Sequence, residues 1–345
     1  MSSATMRAAV LAAPGPTLSV QTVPRPEPGP TEALVRVVAC GFCHTDLHYL
    51  DHGVPTAKAP PIILGHEISG TVEALGNDAT GPAVGTAVLV PAVLPCGRCS
   101  TCRTGRENIC PRGRMVGNHL DGGFAEYAVF PAHDLVPLPR EIDPVLGSII
   151  ADALTTPYHA VVNRAQVRAG ERVAVIGCGG VGINVVQFAA ASGAEVLAID
   201  LNDAKLEMAR WLGATGTLNP SKVPDVPKEI KSRWGDPADA VFEVVGSPAT
   251  ISLAFSALRR GGRLCLVGYS RAPAELPAHR VMFLEQTVLG SLGCRPADYP
   301  RVVNLVREGR IDLSSIVTAR LPLERIGEAA DLLRRGEGLR SVIVP

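Results

Sequence analysis

Cys96, Cys99, Cys102 and Cys110 stand in the pattern C-x2-C-x2-C-x7-C, in a loop that also carries Pro95, Gly97 and Gly105. Four thiolates at this spacing suit a closed tetrahedral zinc site, with no coordination position left over for chemistry. An iron–sulfur cluster is the alternative use of four thiolates. The arginines around them, Arg98, Arg103, Arg106, Arg112 and Arg114, lack interleaved aromatics and read as a solvated loop rather than a nucleic-acid surface.

A second pattern, Gly177-Cys178-Gly179-Gly180-Val181-Gly182, fits G-x-G-x-x-G. It follows the apolar run Arg172-Val-Ala-Val-Ile176 and opens a helical segment, and Asp200 ends the next apolar run. In that context the glycines let the backbone approach a pyrophosphate at a helix N-terminus. Asp200 is placed to accept hydrogen bonds from the adenosine ribose and would repel a 2′-phosphate, and Leu201-Asn202 offers no arginine to bind one. NAD is therefore expected rather than NADP. The plainer alternative is a glycine turn that only tightens strand-to-helix packing.

The elements that must hold these groups fall into two stretches. At roughly 150 residues per domain, 345 residues suggest two domains. Up to about residue 150 the chain has short strand-like runs such as Ala33–Val38 and Thr86–Val90, broken by turn signals, and reads as β-rich. Beyond it, strand-like and helical segments alternate: strands at Arg172–Ile176, Glu195–Ile199, Ala240–Val245 and Arg263–Val267, helices at Val181–Ser192, Ala204–Leu212 and Ile251–Leu258. That alternation implies an α/β fold with a doubly wound parallel sheet. Hydrophobic residues make up 46% and aromatics 4%, so the core is aliphatic. Lys+Arg and Asp+Glu are 33 each, which argues against a broad affinity for nucleic acid or an anionic membrane. No apolar stretch is long enough to span a bilayer, and Ala8–Ala13 reads as a first strand rather than a signal peptide. A cytoplasmic protein is expected, where disulfides are disfavoured.

A third set of residues, Gly41-Phe42-Cys43-His44-Thr45-Asp46-Leu47-His48 followed by Gly65-His66-Glu67-Ile68-Ser69-Gly70 and Gly76, completes a recognisable order. With the four-cysteine lobe and the nucleotide pattern, the whole chain resembles the zinc-dependent medium-chain alcohol dehydrogenases. The resemblance implies a GroES-like β-rich catalytic domain formed by residues 1–153 and 291–345, with a zinc lobe at 95–111. A Rossmann domain, residues 154–290, is inserted into it. It also implies two zinc ions per chain. The catalytic one falls to Cys43, His66 and a third residue in Ala151–Tyr158, the segment that places Asp152 there. Relatives usually carry cysteine at that position. Thiolate plus carboxylate still neutralise Zn2+, and a harder oxygen donor should leave the metal a stronger Lewis acid. The alternative is that Asp152 caps a helix starting near Leu154.

By the same resemblance, Glu67 and Asp46 support the metal and its histidine, Thr45 bonds the substrate oxygen, and His48 passes the proton to solvent. His44, Lys205, Val267 and Arg340 fall at positions that meet the cofactor. An open zinc position beside a nicotinamide ring implies alcohol oxidation by hydride transfer. Cys40, Cys178, Cys265 and Cys294 are expected to be small packing residues. Ala92, four before Cys96, replaces a large aromatic common in relatives that oxidise small primary alcohols, so a bulky or cyclic secondary alcohol or its ketone is expected. Val116–Phe124, Asp152–Tyr158 and Gly293–Pro300 resemble the 6-hydroxycyclohex-1-ene-1-carbonyl-CoA dehydrogenases. The alternatives are a broad-specificity alcohol dehydrogenase or aldehyde reductase and, remotely, a non-catalytic NAD-sensing zinc protein. Relatives of this length form dimers or tetramers, with Thr287–Leu292 a candidate seam.

Overall fold

The computed structural model describes residues 4–345. The chain divides into two compact units: residues up to Thr155 together with Gly293–Pro345, and Thr156–Leu292.

The first unit is built on the long strand β1 (Glu32–Phe42), almost wholly buried along its length. It is followed by the short helix α1 (His44–Leu50). β1 pairs antiparallel with β2 (Glu67–Leu75), with Gly41 opposite Glu67. On its other side it pairs antiparallel with the last strand, Arg340–Val344, with Val342 opposite Gly41. Both edges are thus paired, and residues on both faces are buried, which explains why the alternation of a half-exposed strand is missing from β1. The pairing also brings the C-terminal segment into the sheet formed by the N-terminal part. Val35, Ile68, Phe124, Phe130, Leu323 and Ile343 share one core under it. Cys43, His66-Glu67 and Arg340 all stand at the same end of these three strands.

The second unit is a parallel sheet of six strands in the spatial order Gly216–Leu218, Glu195–Ile199, Arg172–Ile176, Ala238–Glu243, Leu258–Leu266, Thr287–Gly290. This is a doubly wound order whose direction reverses beside β3 (Arg172–Ile176), the place where such sheets open a ligand crevice. β3 and β4 (Glu195–Ile199) occupy the expected residues, and α2 runs Gly182–Ala191 with its first eight residues buried. Leu258 belongs to a strand rather than to the preceding helix. That helix ends at Ser256, Leu258 pairs with Ala238, and a shift of register between Ala238 and Ala240 absorbs the Arg-Arg-Gly-Gly stretch. The helix Val226–Trp234 carries only two buried residues, Val226 and Ile230, so its apolar stripe is too thin to signal helix in the sequence.

Among the described residues no single helix is long and apolar enough to cross a membrane. One bent pair, Pro144–Ala151 with Thr155–Arg164, has the length and composition of a span. Its Ile149, Ile150, Ala160 and Val161 are interior residues.

Candidate metal and dinucleotide sites

Donor atoms of Cys43, His66, Glu67 and Asp152 all lie within 4.8 Å of one another. Cys43 precedes α1, and its backbone N–H donates to Asp46 Oδ2 at 2.9 Å, which ties the start of the helix to the end of β1. His66 and Glu67 begin the facing strand. Gly41 is required opposite them, because a Cβ there would sit 2.0 Å from Glu67 Oε2. Asp152 closes the short 3-10 turn Ser148–Ala151, and the next helix starts at Thr155. Its Oδ2 lies 3.6 Å from His66 Nε2 and 3.9 Å from Cys43 Sγ.

These distances bear on the metal. Zinc bonds of about 2.0–2.3 Å in a tetrahedron put donor atoms roughly 3.3–3.8 Å apart. His66 Nε2 is buried without a hydrogen-bond partner and faces the other donors, as an imidazole reserved for a metal would. On its other side, His66 Nδ1 is 3.8 Å from Asp46 Oδ1. Burial alone would lower the His66 imidazole, but Asp152, Asp46 and Cys43 hold it well above its ordinary value. Burial pushes Glu67 up to about 7 against the opposing guanidinium of Arg340. The cluster is acidic, enclosed and suited to a cation, and the residues present fit zinc.

Arg340 lies in this cluster. It is 4% exposed, its Nη1 donates to the Phe42 carbonyl at 3.1 Å, and its Nη2 is 3.5 Å from Glu67 Oε1. The partner observed for the guanidinium is therefore a carboxylate beside the candidate metal ligands. Thr45 Oγ1 is 3.8 Å from Cys43 Sγ. His44 is exposed and His48 half-buried, their rings edge to face at 5.2 Å. Burial, with the nearby rings of His44 and His52, pushes His48 down to about 4.

Two residues the sequence reading passed over contribute here. Tyr299 is buried, and its hydroxyl donates to the Ala151 carbonyl at 2.9 Å and accepts from Ala92 N at 3.2 Å. It thereby ties the residue before Asp152 to Ala92. No local signal marks it, since it lies 148 residues from one partner and 207 from the other. His52 is hydrogen-bonded to His48, Nδ1 to Nδ1, at 2.8 Å. The two histidines stand four residues apart in the sequence, His48 in the last turn of α1 and His52 just beyond its end.

In the cysteine lobe the sulfurs of Cys96, Cys99, Cys102 and Cys110 again lie within 4.8 Å of one another. Cys99 Sγ is 3.4 Å from Cys102 Sγ and 3.7 Å from Cys110 Sγ. A tetrahedron of Zn–S bonds about 2.3 Å long has S···S edges of roughly 3.8 Å, so these residues fit zinc as well. The strand pair Val93–Leu94 and Arg114–Met115 closes the base of the lobe. Cys99 caps the turn Ser100–Arg103, its sulfur accepting from Cys102 N at 3.4 Å. Backbone N–H groups, that of Arg98 first, bring Cys96 down to about 6, while burial pushes Cys102 up to about 12. Without a cation the four thiols would not ionise together.

In the second unit the glycine turn leads from β3 into α2. A Cβ on Gly182 would lie 1.8 Å from the Gly177 carbonyl, whereas one on Gly179 would meet nothing within 4 Å. One glycine packs helix to strand; the other leaves open space beside backbone N–H groups, which suits a pyrophosphate. Gly180 and Val181 complete the turn before Gly182 starts the helix. Asp200 Oδ2 accepts from Cys178 N at 2.7 Å and its Oδ1 from Asn202 N at 2.8 Å, so the carboxylate is held over the turn with lone pairs to spare. Lys205 is half-buried on the helix Asp203–Trp211, and Val267 N donates to the Glu243 carbonyl at 2.9 Å. Of the remaining cysteines, Cys40, Cys178, Cys265 and Cys294 are all buried.

Comparison with known proteins adds the family. A family model described as alcohol dehydrogenase GroES-like domain matches residues 29–140, and one described as zinc-binding dehydrogenase matches residues 180–308. An alcohol dehydrogenase of Geobacillus stearothermophilus is 35% identical over 96% of this chain and 97% of its own. An L-threonine 3-dehydrogenase of Symbiobacterium thermophilum is 34% identical over 99% and 98%. Among solved structures, a zinc-binding dehydrogenase of Sinorhizobium meliloti bound to NADP superposes with a TM-score of 0.91 at 32% identity, covering 99% of this chain and 100% of that one.

Proposed function

Because the chain belongs to the zinc-dependent medium-chain alcohol dehydrogenase family, an oxidoreductase family acting on CH–OH groups, we propose that it transfers a hydride between NAD and a secondary alcohol or ketone of bulky or cyclic shape. The observation that carries this is the three-donor cluster of Cys43, His66 and Asp152, in which His66 Nε2 has no hydrogen-bond partner. In this assignment those three side chains hold the catalytic zinc, and Cys96, Cys99, Cys102 and Cys110 hold a second, structural one. When bound, the metal supplies a Lewis acid and the dinucleotide a hydride acceptor. Thr45, next to Cys43, takes the hydroxyl proton of the substrate and passes it toward His48. Asp46 steadies His66, and Glu67, itself neutralised by Arg340, keeps a carboxylate within reach of the metal ligands. His44 and Arg340 supply positive or polar groups toward the cofactor phosphates, with Lys205 and Val267 flanking its adenosine and nicotinamide portions.

Ala92 supports the bulky substrate: this small buried residue, its backbone N–H donating to the Tyr299 hydroxyl, takes the position of the large aromatic common in relatives that oxidise small primary alcohols. A ring alcohol carried on coenzyme A is the specific candidate. The test is the appearance of NADH over a panel of primary, secondary and cyclic alcohols, L-threonine and coenzyme-A-linked ring alcohols, with and without a chelator. Turnover favouring cyclic secondary alcohols is expected. Preference for short primary alcohols would overturn the substrate assignment, and no turnover on any alcohol would overturn the function.

The coenzyme preference rests on Asp200. Asp200→Asn keeps an acceptor for Cys178 N while removing the charge. The ratio of kcat/KM for NADP over NAD is expected to rise about tenfold or more. A parent enzyme that already uses the two coenzymes equally would overturn the NAD assignment. We further take the protein to act in the cytoplasm as a homodimer or homotetramer. The edge strand Thr287–Gly290, continued by the exposed Leu292, supports that assembly.

A further inference from the structure

Three histidines, His44, His48 and His52, follow one another at every fourth position along α1 and the turn that leaves it. Their ring centroids are 5.2 Å apart between His44 and His48, 5.0 Å between His48 and His52, and 6.2 Å between His44 and His52. Between His48 and His52 the ring nitrogens come within hydrogen-bond distance, 2.8 Å from Nδ1 to Nδ1. The turn enforces this contact: Asp51 N donates to the Leu47 carbonyl at 2.7 Å and Val54 N to the His48 carbonyl at 3.1 Å, which folds His52 back over His48. His48 is half-buried and His52 is exposed. A bond between two imidazole Nδ1 atoms requires one of them to carry the hydrogen and the other to accept it.

We propose that His52 is the solvent end of the proton path, so that His48 hands the alcohol proton to a second histidine rather than directly to water. This rests on the alcohol dehydrogenase function proposed above, in which the proton reaches His48 by way of Thr45. In the oxidation direction the substrate O–H bond breaks and its proton arrives at Nε2 of His48. The Nδ1 proton of His48 moves to Nδ1 of His52, and the Nε2 proton of His52 leaves to water. One proton is transferred in all, no electrons move along the path, and each ring ends neutral with its tautomer exchanged.

The surroundings favour such a hand-over. Burial and the rings of His44 and His52 push His48 down to about 4, so that storing the proton on His48 as an imidazolium is unfavourable near neutral pH. An acceptor in direct contact removes the need to store it. The other charged groups near the pair are committed elsewhere. Arg334, from the helix Ile326–Arg334 packed against α1, donates to both oxygens of Asp51 at 2.8 Å, and its Nη1 reaches Asp331 at 2.8 Å. Asp51 is thereby held to the arginine, and the ring of His44 is in edge-to-face contact with His48.

The test compares the parent enzyme with His52→Gln and His52→Leu, both at an exposed position. A pH-indicator dye in weak buffer follows proton release after mixing with NAD and a turned-over alcohol. Both variants are expected to release the proton about fivefold more slowly than the parent, a modest part of the span that positioned acid–base groups contribute. KM for alcohol and NAD should be unchanged, and added imidazole should restore the rate. Parent-like release in both variants, or a slow release that imidazole does not restore, would overturn the inference while leaving the alcohol dehydrogenase function standing. A parent enzyme that oxidises no alcohol overturns that function and this path with it.

Discussion

Asp152→Ala is expected to lower kcat/KM for alcohol oxidation about a thousandfold and to leave the chain with one tightly held zinc instead of two. The size follows from what a Lewis acid supplies to a developing alkoxide, several kcal/mol of transition-state stabilisation, each 1.4 of which is about tenfold in rate. Asp152 Oδ2 stands 3.6 Å from His66 Nε2 and 3.9 Å from Cys43 Sγ. Removing it leaves a thiolate and an imidazole, with the remaining carboxylate, Glu67, held by Arg340: too few donors to retain the metal firmly through dialysis. Asp152→Cys restores three donors and should recover zinc, with a softer site and altered rate. Elemental analysis of dialysed protein, beside kinetics, reads both outcomes. Full zinc and full activity in the alanine variant would remove Asp152 from the ligand set.

The second large effect lies in the cysteine lobe. Cys102→Ser should cost one zinc per chain while the metal at Cys43 and His66 remains, and should lower Tm by about 10 °C or more. The reason is structural. Between the strand pairs of Val93–Leu94 and Arg114–Met115 the lobe has only the turn Ser100–Arg103 and the short 3-10 turn Glu107–Ile109. Such a segment has little apolar surface to bury, so metal coordination would take the place of a core. The variant should also become sensitive to limited proteolysis within residues 95–111. A variant with two zinc ions and the parent Tm would mean that the four sulfurs hold no structural metal.

The parts of this molecule that were legible in the sequence are those whose partners are close along the chain. The four-cysteine spacing, the glycine turn with Asp200, and the strands Arg172–Ile176 and Glu195–Ile199 each carry their own signal. Local hydrogen bonds such as Cys178 N to Asp200 complete them. The α/β class and the family follow from such signals because their order along the chain is itself distinctive. Weakly patterned elements escaped, notably the helix Val226–Trp234 with its thin apolar stripe, and the strand that begins at Leu258 across a bulge.

Sequence by itself determined which donors exist and in what order, and hence the dehydrogenase family. Tertiary structure alone decided where they meet. Asp152 Oδ2 comes 3.6 Å from His66 Nε2 and 3.9 Å from Cys43 Sγ, more than 80 residues away in sequence. Arg340 reaches Phe42 across 298 positions because the last strand pairs with β1, and Tyr299 reaches Ala151 across 148. Spacing rules describe only neighbours within a turn or a strand repeat. Contacts that close long loops are chosen by sheet pairing and burial, which no short window of sequence contains.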